Sequence, residues 1–285
     1  MKKILVIFFI LIGTYIVFQF VSNHTLNPFW GGKAEATVSN HIDLIDVQAF
    51  GAKTSIIPDN RDSVKADLDG KGKVVVKKMG DKIQVTYKRP WFQWFSFFGS
   101  TKLTVYIPKD FQKDMHVQLG SGQLTFSGQS KNHPMTFDDF KLDMGSGSVT
   151  LNNLNVAEFS HNGSSGSLVV NHLDSEKSDI DVSSGSVRLN HFTGELKGDL
   201  SSGQMNVQMD KLTDSVNIHA SSGSIKLDLP DKADFTIDGK ASSGNISCDF
   251  PLKNEKIENH RFHGEYGSGK HAVNITVSSG NVKVY

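Results

Sequence analysis

The stretch SSGSVRLNHFTGELKGDLSSGQMNV, residues 183–207, contains the pattern that decides the fold. It holds two Ser-Ser-Gly motifs, and residues that alternate between apolar and polar follow each of them. Equivalent motifs recur through the C-terminal half of the chain, with steps of 19, 19, 18, 20 and 21 residues between their glycines. These glycines are Gly147, Gly166, Gly185, Gly203, Gly223 and Gly244. A constant period of this length indicates a structural repeat, and glycine suits the tight corners that such a repeat requires.

The residues after each glycine follow a constant order. Apolar side chains occupy the second and fourth positions, as at Val187 and Leu189, and this period of two predicts a half-buried strand. A second strand precedes the next motif, as at residues 180–182. Each coil of about 19–20 residues should therefore hold two short strands, and stacked coils would bury their shared apolar face. We predict an all-β fold with a Ser-Gly repeat β-solenoid over residues 118–285; a sandwich of β-hairpins is the alternative.

The region before the repeats, residues 37–117, also shows strand periodicity, for example at 83–87 and 103–107. We predict a β-rich N-terminal cap region that covers one end of the solenoid and carries an aromatic loop at 90–99. Near the C-terminus the motif at Gly269 breaks the spacing, because the next motif glycine follows after 11 residues. This break predicts a closing strand pair at the other end.

The N-terminus carries an apolar run from residue 4 to residue 21, preceded by Lys2 and Lys3. A helix of this length would extend about 27 Å, close to the thickness of a bilayer core. We predict a transmembrane anchor at 1–21 and a linker at 22–36. The positive-inside rule places the N-terminus in the cytoplasm and the C-terminal domain outside the cell membrane, as in a single-pass protein. A cleavable signal peptide is the alternative, although its apolar region would be shorter.

Composition excludes several classes of function. Lys plus Arg equals Asp plus Glu, at 30 each, so the chain offers no basic surface for nucleic acid. The single cysteine, Cys248, cannot form an internal disulfide or a Cys-x-x-Cys zinc pair. Because Cys248 lies at an apolar position of the repeat, we predict a buried, inert thiol. The sequence predicts neither a cofactor nor a metal site.

An aromatic segment interrupts the cap region directly after Lys88 and Arg89. Its aromatic residues are Trp91, Phe92, Trp94, Phe95, Phe97 and Phe98. Such a segment could dock on membrane lipid or on a membrane-protein partner, with the two cations at the headgroups. It could also plug the open end of the solenoid, and the sequence leaves both readings open.

Polar residues recur at fixed offsets from the motif glycines. Asparagine occupies the fifth position at Asn152, Asn171 and Asn190, which predicts a structural side-chain ladder. Histidine occupies the sixth position at His172 and His191. Neighbouring imidazoles could bind a metal or sense pH, but no Cys, Asp or Glu shares their offset, so a permissive polar corner is the favoured interpretation.

Asp138 and Asp139 are candidate catalytic carboxylates. A glycan-cleaving solenoid needs several acids that converge on adjacent coils. The repeat offsets predict no column of acids, and the serines lie in Ser-Gly corners without a Gly-x-Ser-x-Gly elbow.

The segment YIPKD (106–110) and the motifs GSGQLTF, GSGSVTL, SSGSLVV, SSGSVRL and SSGSIKL resemble the "putative adhesin" family of bacterial β-repeat domains. The resemblance implies a non-enzymatic scaffold or binding protein outside the membrane, and within the family it points to members linked to cell-envelope stress. No catalytic residues are established for the family, so it supplies none here. The competing classes are an extracellular glycan-cleaving enzyme and a surface adhesin that contacts other cells.

Overall fold

The computed structural model describes residues 30–89, 101–258 and 260–285, and within these ranges seventeen β-strands pair into one continuous sheet. The strands are β1 (Trp30–Thr37), β2 (Leu44–Ala49), β3 (Ala52–Asp59), β4 (Ser63–Lys71), β5 (Lys73–Met79), β6 (Lys82–Lys88), β7 (Lys102–Pro108), β8 (Asp114–Leu119), β9 (Gly122–Ser127), β10 (Met135–Met144), β11 (Ser148–Gly163), β12 (Ser167–Lys211), β13 (Val216–Asp228), β14 (Phe235–Cys248), β15 (Lys253–Glu258), β16 (Arg261–Tyr266) and β17 (His271–Val284). In the same ranges no helix is long and apolar enough to cross a bilayer. The predicted anchor, residues 1–21, lies outside them.

Strands β8 to β13 stack in parallel with a register of one coil, as a solenoid-like repeat requires. Val149 pairs with Leu168, and Leu196 pairs with Val216. Parallel pairing at an offset of one coil is incompatible with the alternative of a sandwich built from hairpins. The all-β prediction is confirmed, and the repeat is solenoid-like.

Each full coil has three sides, whereas the sequence predicted two strands. In β11, residues 148–152, 154–156 and 158–163 pair separately with β12. We call these the post-glycine side, the short side and the pre-glycine side. Asn153, at φ 56°, separates the first two sides. This corner residue shifts the alternation of apolar and polar residues by one position. The sequence pattern therefore did not indicate a strand on the short side.

The stacking order departs from the chain order at both ends. Strand β2 lies between β6 and β8, and β3 lies between β7 and β9, all in parallel pairs. The parallel stack therefore extends N-terminal to residue 118. At the other end β17 inserts between β13 and β14, and the hairpin β15–β16 continues the sheet beyond β14 in antiparallel pairs. Residue spacing cannot reveal this order, because the step to Gly244 resembles the steps before it.

The core lies inside the coils. Inward residues at the second and fourth positions after each motif glycine are buried from Leu124 to Leu227, and four phenylalanines pack together with ring centroids 5.5–5.9 Å apart. These rings belong to Phe126, Phe137, Phe140 and Phe159. The burial weakens near the distal end, where Cys248 is only half-buried rather than fully enclosed. Its partial burial raises the pKa of the Cys248 thiol, so the thiol is a poor nucleophile.

Candidate functional site

One end of the stack brings together the start of β1 and both borders of the aromatic segment. The Trp30 backbone pairs with Lys71. The carbonyl of Lys71 accepts hydrogen bonds from the Tyr87 hydroxyl at 2.9 Å and from the Thr101 hydroxyl at 3.3 Å. Because Tyr87 lies shortly before the segment 90–100 and Thr101 follows it directly, the segment leaves and re-enters the fold beside β1. We call this region the anchoring end.

The two predicted docking cations, Lys88 and Arg89, also lie at the anchoring end. Lys88 ends β6, and both Lys88 and Arg89 are exposed. The Arg89 guanidinium lies beside Gly51, and the neighbouring Phe50 is 45% exposed with its ring over Gly120. The predicted docking residues Trp91, Phe92, Trp94, Phe95, Phe97 and Phe98 lie outside the described residues.

The opposite end of the stack contains a groove of about 730 Å³ between β14, β15, β16 and β17. Its charged residues are Asp238, Lys240, Lys256, Glu258, Arg261 and His263. His263 Nδ1 lies 2.7 Å from Asp238 Oδ1, while Lys240 and Arg261 occupy directly paired positions. Phe262 is nearly buried and packs over Gly239, where a side chain would collide with Ile246. The groove therefore has a rim of both charges, which suits binding of a polar ligand.

The motif glycines form a column along one corner of the stack. Gly147, Gly166, Gly185, Gly203, Gly223 and Gly244 all have positive φ angles between 113° and 149°. At each of them a Cβ atom would overlap the carbonyl oxygen of the residue below, as Gly166 would with Gly147. Only glycine permits both the backbone conformation and this close approach. Gly280 lies between Gly223 and Gly244 in the column, which reflects the insertion of β17.

The asparagine ladder predicted from the fifth position is present on the post-glycine side. The Asn171 amide donates to Asn152 Oδ1 and the Asn190 amide donates to Asn171 Oδ1, both at 2.7 Å. Asn152 in turn donates to the Ser127 hydroxyl at 2.8 Å. Each bond links two coils, so the ladder fixes their register.

The two predicted histidines stack at the next corner with ring centroids 4.5 Å apart. Both have left-handed φ angles, 58° at His172 and 56° at His191. Asp210 reaches His191 Nδ1 at 2.8 Å, an acidic partner that the offsets did not predict because it lies one position further along its coil. Burial and the charge of His191 lower the pKa of His172. Among the residues that the structure describes, no three His, Cys, Asp or Glu side chains form a group able to hold a metal ion.

A column of acids occupies the start of the pre-glycine side, contrary to the prediction from the offsets. Asp139 pairs in register with Glu158, and Asp114 precedes Met115, the partner of Phe140. Burial, followed by the charges of Asp114 and Glu158, raises the pKa of Asp139. The neighbouring Asp138 points elsewhere and lies 3.8 Å from Lys113. The column escaped the repeat analysis because Asp114 lies on a coil that precedes the regular motifs.

Sequence reasoning also missed a buried carboxylate near the anchoring end. Asp46 is 3% exposed and accepts hydrogen bonds from the side-chain amides of Gln48, Gln84 and Gln118 at 3.0–3.4 Å. His116 lies 3.8 Å from Asp46 and 2.7 Å from Asp143. This network ties four neighbouring strands, β6, β2, β8 and β10, across the pre-glycine side. No spacing rule could have predicted it, because these strands are not consecutive in the chain.

The chain is similar to known proteins in sequence and in structure. A sequence profile of the family described as Toastrack DUF4097 matches residues 42–285. A solved structure from Bacteroides fragilis, called a putative adhesin, is 12% identical over 90% of this chain and 97% of that chain, with a TM-score of 0.47. A structure from Parabacteroides distasonis, called a putative lipid binding protein, is 14% identical over 91% and 98% of the two chains, with a TM-score of 0.43. No curated protein sequence matches the chain.

Proposed function

The chain belongs to the Toastrack DUF4097 family, and from that premise we propose that it is a membrane-anchored, extracytoplasmic and non-enzymatic β-repeat module that binds or scaffolds envelope components. The relatives called putative adhesins accord with the family resemblance of the repeat motifs. In this proposal the module has a defined orientation relative to the membrane.

The observation that carries the proposal is the convergence of β1 and the aromatic segment at the anchoring end. Eight residues, 22–29, separate the predicted anchor from Trp30, and they span at most about 29 Å when fully extended. The anchoring end is therefore held close to the bilayer if residues 1–21 span it. The aromatic residues beside Lys88 and Arg89 would then reach the headgroup region, where aromatic and cationic side chains are favoured.

The groove at the opposite end supports a binding role. A stack that stands on its anchoring end presents the groove away from the membrane, where wall polymers and other extracytoplasmic partners are accessible. The mixed charges of the rim offer polar contacts of both signs. No chemical step is needed for this role.

A link to cell-envelope stress rests on sequence resemblance. The repeat motifs resemble those of the LiaG protein of Gram-positive bacteria, and LiaG-like proteins are encoded beside a two-component system that responds to cell-wall antibiotics. We propose that this module modulates such a response. Deleting the chain should change the induction of a reporter for that system when cells receive a wall-active antibiotic, and unchanged induction would remove the link.

Protease accessibility tests the topology directly. Intact, wall-stripped cells that carry a C-terminally tagged chain are treated with protease and blotted. Loss of the full-length band before lysis supports the extracytoplasmic orientation. Resistance until lysis would place the repeats inside the cell and overturn the proposal.

Liposome binding tests the anchoring end. The soluble segment 30–285 should sediment with anionic vesicles, and changing Trp91, Trp94 and Phe97 to Ser should abolish sedimentation without lowering the melting temperature. Ile257→Ser is the matched control, because Ile257 is 69% exposed at the opposite end. A large decrease in the melting temperature of the triple variant would instead identify the segment as a structural plug.

The acid column favours a second candidate function, an extracellular glycan-cleaving enzyme. Glycosidases use two carboxyl groups, one of which has a raised pKa, and Asp139, whose pKa is raised by burial, pairs in register with Glu158. Cleavage of wall glycans that disappears in Asp139→Asn would establish the enzyme. Absence of cleavage by the native chain would leave the column as a structural feature of the pre-glycine side.

A further inference from the structure

A second depression lies on the post-glycine side, away from both ends of the stack. Its volume is about 330 Å³, and its side chains come from four successive coils. The residues that line it and carry polar groups are Arg188, Asn190, Asn206, Gln208, Lys226, Asp228 and Tyr285. We call this depression the cation valley.

The sheet register explains its shape. Asn206 pairs with Lys226, and the stacking of Gly203 on Gly185 places Arg188 on the other side of Asn206. A short amide therefore lies between two long cationic side chains. Their backbones are about 9.6 Å apart, two coil steps, so the valley can hold a chain that runs between the two cations.

Within the described residues, no carboxylate pairs with the cations of the valley. Neither Arg188 nor Lys226 lies within ion-pair distance of a carboxylate in the described part of the chain, whereas the adjacent Lys283 contacts Asp249 at 2.9 Å. Lys226 and Lys283 are direct neighbours in register, and like charges in such positions oppose each other. A local arrangement that disfavours the fold is expected where a site serves binding.

Hydrogen-bonding groups also become available here. The asparagine ladder satisfies its members from Ser127 to Asn190 and ends there. In the ranges that the structure describes, the side chains of Asn206 and Gln208 make no hydrogen bond within the protein. Tyr285, 40% exposed, adds an aromatic ring to the rim. Planar amides suit sugar hydroxyls, and an aromatic ring suits the apolar face of a sugar.

We propose that the cation valley binds a linear anionic glycan, with Arg188 and Lys226 contacting acidic groups on either side of a sugar held by Asn206 and Gln208. Arg188 offers a planar fork for a carboxylate, and Lys226 offers a point charge. Asp228 at the rim repels further acidic groups and can accept a sugar hydroxyl. The proposal goes beyond membrane anchoring, and it stands or fails independently of the chain's orientation.

Binding of an oligogalacturonate of defined length to the purified full-length chain in detergent tests the proposal. Oligogalacturonate should bind, and its affinity should fall as salt is raised because the cations are exposed. A neutral cello-oligosaccharide and polyphosphate of matched length should both bind at least tenfold more weakly. Equal binding of polyphosphate would show that charge alone suffices, equal binding of the neutral glycan would show that charge is irrelevant, and failure of oligogalacturonate to bind would remove the site; each result overturns the proposal.

Substitutions with residues that the repeat already accepts separate binding from folding. Thr150 occupies the position equivalent to Arg188 and Lys226, so Arg188→Thr and Lys226→Thr suit the coil. Each should weaken oligogalacturonate binding about tenfold through loss of a charge-assisted hydrogen bond. Lys177→Thr, which removes an exposed cation at the start of the pre-glycine side, is the matched control and should leave binding unchanged. An equal loss in Lys177→Thr would mean non-specific attraction and would overturn the assignment.

Discussion

The pre-glycine and post-glycine sides of the stack belong to the same coils, yet they use their charges differently. On the pre-glycine side Lys197 bridges Asp179 at 3.1 Å and Asp199 at 3.3 Å, and Asp46 is enclosed by three amides. On the post-glycine side Arg188 and Lys226 form no ion pair within the described residues, and they lie beside a ladder that ends at Asn190. The polar groups of the pre-glycine side hold coils together, whereas part of those on the post-glycine side have no such role. In a repeat protein the location of unpaired groups is therefore more informative than composition.

The largest effect that sharpens this comparison is expected at Asp46. Asp46→Ala leaves three amides of the pre-glycine side without their charged acceptor, and it should lower the free energy of unfolding by about 4 kcal/mol. Urea denaturation of the purified chain measures this change. Asp46→Asn, which retains an acceptor oxygen, should lose less than half as much. A loss below about 1 kcal/mol for the alanine variant would show that the network does not support the coils.

A pH-dependent change in stability is expected at His161, whose side chain points into the coil from the pre-glycine side. His161 is 2% exposed, its Nδ1 donates to the Leu142 carbonyl at 3.1 Å, and burial lowers its pKa from 6.5 to about 4. The unfolded chain therefore takes up the proton first as the pH falls. The stability contributed by the neutral ring is complete above pH 6.5 and decreases by about 3 kcal/mol by pH 4.

The control for this effect comes from the same column. Leu142 and Ile180 flank His161 in register, so His161→Leu retains an apolar neighbour at that position. Denaturation midpoints measured from pH 7 to pH 4 should flatten in this variant relative to the native chain. An unchanged slope would assign the acid sensitivity to other groups, such as the stacked His172 and His191.

The sequence sufficed for features that one coil repeats. The spacing of Gly147 to Gly244, the apolar alternation and the Asn152, Asn171 and Asn190 series predicted the parallel stack and its ladder, because each depends on a constant offset. The predictions that rest on residues 1–29 and 90–100, including the anchor, stay predictions.

Features that depend on spatial order could not be predicted. The insertion of β17 between β13 and β14 and the Asp46 network join strands that are not consecutive in the chain. The acid column at Asp139 includes Asp114, which lies on a coil before the regular motifs. Residue offsets carry no information on which coil lies beside which. The short side was missed for a local reason, since the left-handed corner at Asn153 shifts the alternation on which strand prediction depends.

A smaller effect compares two asparagines of the post-glycine side. Asn171→Ala removes the middle of the ladder and leaves groups of Asn152 and Asn190 without a partner, so it should cost about 1–2 kcal/mol of unfolding free energy. Asn206→Ala, in the cation valley, removes an amide that has no hydrogen-bond partner among the described residues, and it should change stability by less than about 0.5 kcal/mol. Urea denaturation of the two variants side by side makes the comparison. Equal losses would show that the valley amide is structural, which argues against a ligand role.

The smallest effect compares the two sides directly through their lysines. Lys197→Thr removes a cation that bridges two carboxylates, and it should destabilise the chain by a few tenths of a kcal/mol, a loss that disappears in 1 M salt because exposed ion pairs are screened. Lys226→Thr removes a cation whose nearest neighbour in register is Lys283, so it should leave stability unchanged or raise it slightly. Paired melts at low and high salt resolve the sign. If the two stability changes have opposite signs at low salt and converge at high salt, Lys197 stabilises the fold and Lys226 does not. If the two changes have the same sign, both lysines behave as ordinary surface charges.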